Sequence, residues 1–160
     1  MARVFVGVGT NVDRERSMRV GLEALKRLDA GLTISNMYES AAIGFDGAHF
    51  YNCVVQLDTE LTLVALVAEL KAIESVSGRD HSNSSCDGKG LDIDVLTYGD
   101  WVGCYDGVVL PRPDVTCYAH VLLPLSEIAP QACLPGTQRS YRALWKDFKQ
   151  PDQRLAVVAF

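Results

Sequence analysis

The stretch Gly90-Leu91-Asp92-Ile93-Asp94-Val95-Leu96-Thr97-Tyr98-Gly99 decides how the rest of the chain is interpreted. Apolar and acidic residues alternate from Leu91 to Val95, and this period of two predicts a β-strand. Because positions two apart on a strand point to the same face, we expect Asp92 and Asp94 to be neighbours, with Leu91, Ile93 and Val95 packed behind them.

Two adjacent carboxylates repel each other, and a divalent cation is the partner that such a pair suits best. Mg²⁺ takes one or two protein carboxylates and leaves its other positions to water and substrate phosphates. Taken alone, the strand is explained more simply as a sheet edge that exposes two solvated aspartates. The surrounding sequence is therefore needed to distinguish a metal site from a solvated sheet edge.

The composition indicates one globular domain over residues 1–160. The chain is 48% apolar and 22% charged, and it is long enough to bury a core. A net charge of -5 gives no general attraction to nucleic acid or anionic membranes, and no apolar run approaches the ~20 residues of a membrane span. Five cysteines without a CxxC pair suggest reduced thiols, and no signal peptide is visible. We therefore expect a cytoplasmic monomer that binds neither nucleic acid nor membrane.

Helical and strand periodicities alternate along the chain. They predict helices at about 13–28 and 62–77, strands at 2–8, 32–40, 50–59 and the opening stretch, and a polar loop at 79–90. This order is typical of an α+β fold: a ferredoxin-like βαββαβ core, with an antiparallel sheet and helices packed on it. The C-terminal third is expected to form an extension over this core, with a short strand at 108–110, a helix or irregular segment at 121–128, a helix at 139–148 and a strand at 155–160.

Several short motifs occur in a fixed order over residues 4 to 130. They are VGVGTN at 6–11, YES at 38–40, FYN at 50–52, IE at 73–74, GR at 78–79, LDID at 91–94, YG at 98–99, LP at 110–111 and PLSEIAP at 124–130. In these residues and spacings the chain resembles the 6-hydroxymethyl-7,8-dihydropterin pyrophosphokinase family of folate biosynthesis.

The resemblance implies a magnesium-dependent transferase. Pyrophosphate would pass from ATP, the co-substrate, to the hydroxymethyl group of 6-hydroxymethyl-7,8-dihydropterin, and AMP would leave. Two Mg²⁺ ions would bind Asp92 and Asp94. Such a transfer depends mainly on positioning and charge neutralisation, so no separate general base is required.

The resemblance also implies a set of pterin-binding residues: Ser40, Ile43, Gly44, Phe50, Asn52 and His120. The amide of Asn52 can donate and accept at once, which suits the mixed edge of a pterin. A turn or cap residue is the alternative for Asn52, but it fits poorly inside an apolar strand. His120 stands where the family has a stacking phenylalanine, and a partly exposed histidine at a helix start is an equally good interpretation.

The implied ATP-binding residues are Glu74, Arg79, His81, Lys89, Val95 and Arg112. Of these, Arg79 and Lys89 join Asp92 and Asp94 as candidate catalytic residues. An ordinary solvated helix residue is the alternative for Glu74, and a solvated surface charge is the alternative for each cation. We prefer the functional interpretation for Arg79 and Lys89 because they flank the polar loop that leads to Asp92.

The chain departs from the family pattern in the loop that closes over ATP. His81 occupies an arginine position, Cys86 an aromatic one, and Lys89 replaces a second catalytic arginine; further on, Tyr118 stands where the family has an arginine. Lysine lacks the planar fork of a guanidinium, and such an arginine can be worth ~10³ in rate. These departures predict a reduced activity, and two other hypotheses stay open: a diverged paralogue that binds pterin or nucleotide with little or no turnover, and a ferredoxin-like interaction module with solvated aspartates.

Overall fold

A computed structural model of the chain describes residues 1–44, 46–76 and 90–160. Within these residues the elements follow in the order β1 (Ala2–Thr10), α1 (Arg14–Leu28), β2 (Thr33–Ile34), β3 (Met37–Ser40), β4 (Phe50–Thr59), α2 (Leu63–Val76), β5 (Asp92–Tyr98), β6 (Gly103–Tyr105), β7 (Val108–Leu110), α3 (Asp114–Cys117), α4 (Ala119–Ile128), α5 (Tyr141–Lys146) and β8 (Leu155–Val158). No helix in the described ranges is long and apolar enough to span a membrane.

The main sheet is antiparallel throughout its described pairings. Its strands lie in the order β5-β1-β4-β3-β8, and β2 also pairs with β4. When β2 and β3 are counted as one interrupted strand, the first six elements form the βαββαβ core that the sequence predicts. The strand β8 then extends the sheet beyond β3, and the hairpin of β6 and β7 forms a small second sheet.

The first core lies between the sheet and the two long helices. On one face of β1, Val4, Val6 and Val8 are buried against the apolar stripes of α1 and α2. Those stripes include Met18, Leu22 and Leu25 on α1, and Leu63, Leu66, Leu70 and Ile73 on α2. Their spacing of three and four residues is the pattern that predicts these helices from the sequence.

The second core lies on the opposite face of the sheet. Phe5, Val54 and Leu96 pack there against α3 to α5, and the ring of Tyr141 meets the ring of Phe5 edge-on at a centroid distance of 6.0 Å. The C-terminal extension therefore covers the face that the long helices leave open, as expected.

The predicted strand at 32–40 is interrupted. Ser35 lies between β2 and β3, where its N–H donates to the carbonyl of Val54 and its hydroxyl accepts from the N–H of Val54, both at 2.9 Å. The side chain thus replaces a main-chain partner. Two other details differ from expectation: β1 continues to Thr10 because Gly9 and Thr10 pair with β4, and the sequence did not predict β6 or the short helix α3.

A β-bulge shapes the C-terminal half of β5. Phe5 pairs with Thr97 and Val6 with Val95, so Leu96 is an extra residue without a partner on β1. The carbonyl of Leu96 instead accepts a hydrogen bond of 2.8 Å from the N–H of Arg112. The bulge therefore attaches the segment that begins at Arg112 to the strand that carries the aspartates.

Candidate active site

The two aspartates of β5 lie in the wall of a cavity. Leu91, Ile93 and Val95 are 1%, 5% and 5% exposed, which confirms the predicted alternation. On the other face, Asp92 and Asp94 are half-buried and line a cavity of about 250 Å³. The pair is therefore neither packed in a core nor fully solvated.

The floor of the cavity is formed partly by main chain. Gly7 and Gly9 of β1 lie opposite Asp94 and Asp92 in the antiparallel pairing. A Cβ atom at Gly9 would lie 3.2 Å from Oδ1 of Asn52, and one at Gly7 would lie 3.4 Å from Cδ2 of Leu96. Side chains at these two positions would press on Asn52 and Leu96 and reduce the depth of the cavity.

Electrostatic interactions at the pair favour a cation. Burial and, after it, the charge of Asp92 together raise the pKa of Asp94 to about 6, although Arg112 acts in the opposite direction. In the metal-free protein, ionising both is unfavourable, and a bound cation would remove the penalty.

The donor set fits magnesium. Asp92 and Asp94 offer hard carboxylate oxygens, and the described ranges hold no group of three or more His, Cys, Asp or Glu residues that could bind a metal. A cation here would keep several positions for water or substrate oxygens, which is the usual arrangement for Mg²⁺.

Arg112 lies beside the aspartates and is held by a third carboxylate. Its Nη2 is 3.8 Å from Oδ2 of Asp94, and its Nε is 3.2 Å from Oδ2 of Asp114. The contact with Asp114 is an ion pair between a guanidinium and a carboxylate. Asp114 also lines the cavity, and the sequence did not single it out. In the sequence, the only indication of its role is that it is an acidic residue two positions after Arg112.

The predicted pterin residues of β3 and β4 form a buried polar pair. Ser40 and Asn52 are 7% and 5% exposed. The Nδ2 group of Asn52 donates to Oγ of Ser40 at 2.8 Å and lies 3.4 Å from the carbonyl of Tyr38, and both Ser40 and Asn52 line the cavity. Asn52 lies within β4, so it is neither a turn nor a cap residue.

Ile43, Phe50 and His120 line the same cavity. The ring of His120, at the second residue of α4, stacks on Tyr118 at a centroid distance of 5.3 Å and an interplanar angle of 12°. Burial lowers the pKa of His120, which favours a neutral ring. Gly44 adopts a φ of 86° and is not among the residues found in the cavity wall.

Two of the predicted ATP-binding residues are placed elsewhere. Glu74 is 7% exposed, and its Oε1 accepts a hydrogen bond of 2.7 Å from the N–H of Ile93, so it is not a solvated helix residue. The side chain of Val95 is buried in the core on the helix side of the sheet, which faces away from the cavity. An ATP contact by Val95 would therefore involve its main chain only. Arg79, His81 and Lys89, together with Cys86, lie outside the described residues.

The chain is similar to known proteins in sequence and in fold. Residues 5–130 match the family model of 7,8-dihydro-6-hydroxymethylpterin-pyrophosphokinase (HPPK). A curated relative from Aquifex aeolicus, named 2-amino-4-hydroxy-6-hydroxymethyldihydropteridine pyrophosphokinase, is 32% identical over 97% of this chain and 94% of its own. A relative of the same name from Pseudomonas aeruginosa is 32% identical over 83% of this chain and 84% of its own.

Longer proteins match as well. The chain covers 30% of a Chlamydia muridarum relative named folate synthesis bifunctional protein, at 29% identity. Among solved structures, a crystal structure of HPPK-DHPS in complex with substrates aligns with a TM-score of 0.70 and 12% identity. The alignment spans 92% of this chain and 43% of the other, and at this identity it supports the fold alone.

The residues of the cavity wall that come from β1, β3, β4, β5, α3 and α4 all fall inside the range matched by the family model. Family match, relatives of similar length and fold give one consistent result. The chain belongs to the 7,8-dihydro-6-hydroxymethylpterin-pyrophosphokinase family.

Proposed function

We propose that the protein transfers pyrophosphate from ATP to the hydroxymethyl group of 6-hydroxymethyl-7,8-dihydropterin, with Mg²⁺ as the metal and AMP as the second product. The observation that carries this proposal is a single cavity that holds an acidic pair, Asp92 and Asp94, together with a buried amide and hydroxyl pair, Asn52 and Ser40. The names of the curated relatives agree with the proposed reaction.

The polar pair on β3 and β4 is suited to hold the pterin. Ser40 occupies one donor position of the Asn52 amide, and the amide is fixed in the cavity wall by that bond. The oxygen of an amide fixed in this way can accept a hydrogen bond from a donor on the edge of a flat heterocycle. Phe50 and the His120 ring, which line the same cavity, would contact the apolar faces of the ring system.

The phosphates would lie beside the acidic pair, at the end of the cavity that Asp92 and Asp94 line. The hydroxymethyl oxygen of the pterin would bond to the β-phosphorus of ATP, the bond from that phosphorus to the oxygen bridging it to the α-phosphorus would break, and the hydroxyl proton would be released. Two Mg²⁺ ions on Asp92 and Asp94 would supply charge neutralisation and align the phosphate oxygens. Arg112, held beside Asp94 by Asp114, would add a fixed positive charge at this end.

An AMP-release assay tests the proposal. We expect AMP formation from ATP to require both the hydroxymethyl-dihydropterin and Mg²⁺. Asp92→Ala should lower the rate by ~10³-fold or more, because the metal loses one of its two protein ligands. Asp100→Ala is a matched control, since Asp100 is an exposed aspartate just beyond the same strand. Unchanged AMP release by Asp92→Ala would exclude the metal assignment.

A second candidate function is supported by Tyr118. This residue lines the cavity and stacks on His120 at the position where the family has an arginine. A wall that lacks this cation suits a paralogue that binds pterin or nucleotide with little or no turnover. Calorimetry separates the two candidates: pterin binding without AMP formation at saturating ATP would support the paralogue, and measurable turnover would exclude it.

We also propose that the protein acts as a cytoplasmic monomer on small-molecule substrates. Its net charge of -5 and the absence of a CxxC pair in its sequence support this. Light scattering coupled to size-exclusion chromatography would report the mass of the particle, and a dimeric mass would contradict the proposal.

A further inference from the structure

The junction between α3 and α4 places two aromatic rings in the cavity wall. Tyr118 separates the two helices with an extended backbone (φ −123°, ψ 128°), so the chain turns sharply at this residue. Its side chain makes no capping hydrogen bond to α4. The rings of Tyr118 and His120, on either side of Ala119, lie nearly parallel at 5.3 Å and both line the cavity.

A glutamine from the C-terminal segment bridges this junction. Oε1 of Gln153 accepts a hydrogen bond of 2.7 Å from the N–H of Ala119, the first residue of α4. Nε2 of the same side chain donates a hydrogen bond of 3.0 Å to the carbonyl of Cys117, the last residue of α3. One planar amide thus satisfies a helix start and a helix end at once, and it fixes the residues on both sides of Tyr118.

The segment that carries Gln153 is itself attached to the other wall of the cavity. The N–H of Gln153 donates to the carbonyl of Gln150 at 3.0 Å, which closes a turn. Immediately afterwards, β8 pairs with β3, and Leu155 lies opposite Ser40. Residues 150–158 therefore connect the Ser40 wall to the Tyr118 wall, although the family match ends at residue 130.

We propose that Gln153 is a positioning residue that fixes the stacked Tyr118 and His120 pair for pterin binding, and that residues 150–158 therefore support the active-site wall. The inference rests on the proposed function for its link to the pterin. The position of the two rings, however, can be measured without any substrate.

The direct readout is the proton NMR spectrum of the histidines. The chain has three, at 49, 81 and 120, and the His120 signals can be assigned by their loss in His120→Gln. In the wild type, stacking on Tyr118 should shift the His120 ring protons upfield. Gln153→Ala should abolish most of this shift and leave the His49 signals unchanged. Gln150→Ala is the matched control, because Gln150 is exposed on the same segment.

The functional readout is the difference between the effects of the variant on pterin binding and on ATP binding. Gln153→Ala should weaken pterin binding by about three- to tenfold, the range of about one net hydrogen bond, and leave the dissociation constant for ATP unchanged. Gln153→Glu keeps the acceptor for Ala119 but sets a carboxylate against the carbonyl of Cys117. It should weaken pterin binding as well, and it serves as the second variant if Gln153→Ala does not fold.

The outcomes separate the two proposals. An unchanged His120 shift in both folded variants would overturn the positioning role. A lost shift with unchanged pterin affinity would overturn the link to pterin binding. A wild type that binds no pterin would contradict the proposed function and the link to pterin, while the His120 shift would still test whether Gln153 orders the two rings.

Discussion

At the scale of single residues, Asp94 lies in the proposed metal site and, when ionised, destabilises the metal-free fold. Burial and the neighbouring Asp92 raise its pKa from 3.8 to about 6, so the folded state binds more protons than the unfolded state between these values. The free energy of unfolding therefore falls as the pH rises through this window. Above it, the ionised carboxylate destabilises the metal-free protein by a constant amount.

Asp94→Asn should consequently stabilise the metal-free protein at pH 7. We expect a gain of about 1–2 kcal/mol in the free energy of unfolding, less than the full pKa shift implies because the side chain is partly solvated and coupled to Asp92. The gain should disappear below about pH 4, where both states are protonated. Urea denaturation at the two pH values measures it, with the exposed Asp100→Asn as control. A loss of stability at pH 7 would contradict the electrostatic account.

Some site residues could be predicted from the sequence and others could not. The difference is whether their position depends on local sequence or on contacts between distant segments. Asp92, Asp94 and Asn52 reach the cavity because strand alternation fixes which face a residue takes, and that rule needs only local sequence. The same rule sends the side chain of Val95 to the opposite face. Asp114 and Gln153 could not be predicted, since their roles depend on which segments meet in space. Gln153 bonds a residue 34 positions away.

At the scale of elements, β5 is the edge strand of the described sheet, and a side chain of α2 provides a hydrogen-bond partner for its main chain. An edge strand has main-chain groups without a neighbouring strand to pair with. The N–H of Ile93, between the two aspartates, donates to the buried carboxylate of Glu74 at 2.7 Å. Glu74 thereby links the end of α2 to the strand that carries the acidic pair.

Glu74→Leu should leave the Ile93 N–H buried without this partner and lower the free energy of unfolding by about 1–3 kcal/mol. Glu74→Gln retains an acceptor oxygen and should cost less. Urea denaturation gives the stability, and hydrogen exchange of the Ile93 amide gives the local effect; Glu69→Leu, exposed on the same helix, is the control. Weaker ATP binding by Glu74→Gln at unchanged stability would instead support the nucleotide role that the family resemblance implies.

The predicted boundaries of helices and strands agree with the structure where one hydrophobic periodicity continues without interruption. The predicted spans of α1, β4 and α2 agree closely with the structure because each has an apolar stripe of constant period. The strand at 32–40 is divided because the side chain of Ser35 takes over a main-chain bond, which no hydrophobic pattern reveals. The hairpin strand β6 has only three residues and an exposed face, so its pattern is too short to recognise.

At the scale of the whole molecule, both cores share one sheet. Phe5, Val54 and Leu96 face the C-terminal helices, whereas their neighbours on the same strands face α1 and α2. Residues beyond the family match thus cover a face of the family core. Tyr141, which is 1% exposed, is the largest fully buried side chain that they contribute to this second core.

Tyr141→Ala should destabilise the whole protein by about 3–5 kcal/mol, because it removes a fully buried ring that packs on Phe5. Since the sheet belongs to both cores, circular dichroism and tryptophan fluorescence should report one coincident transition. Tyr141→Phe is the control, which keeps the ring and removes only the hydroxyl group, at about 1 kcal/mol. Separate transitions for the two probes would show that the extension folds independently.

The glycines in the cavity floor have a consequence for inhibition. A compound that fills the recess above Gly7 and Gly9 would touch peptide groups, which no substitution can remove. A larger residue at either position would exclude such a compound only by filling the space that the proposed pterin needs. Drug resistance through these two positions would therefore deprive the cell of the activity itself, and resistant strains would have to arise by changes elsewhere in the wall.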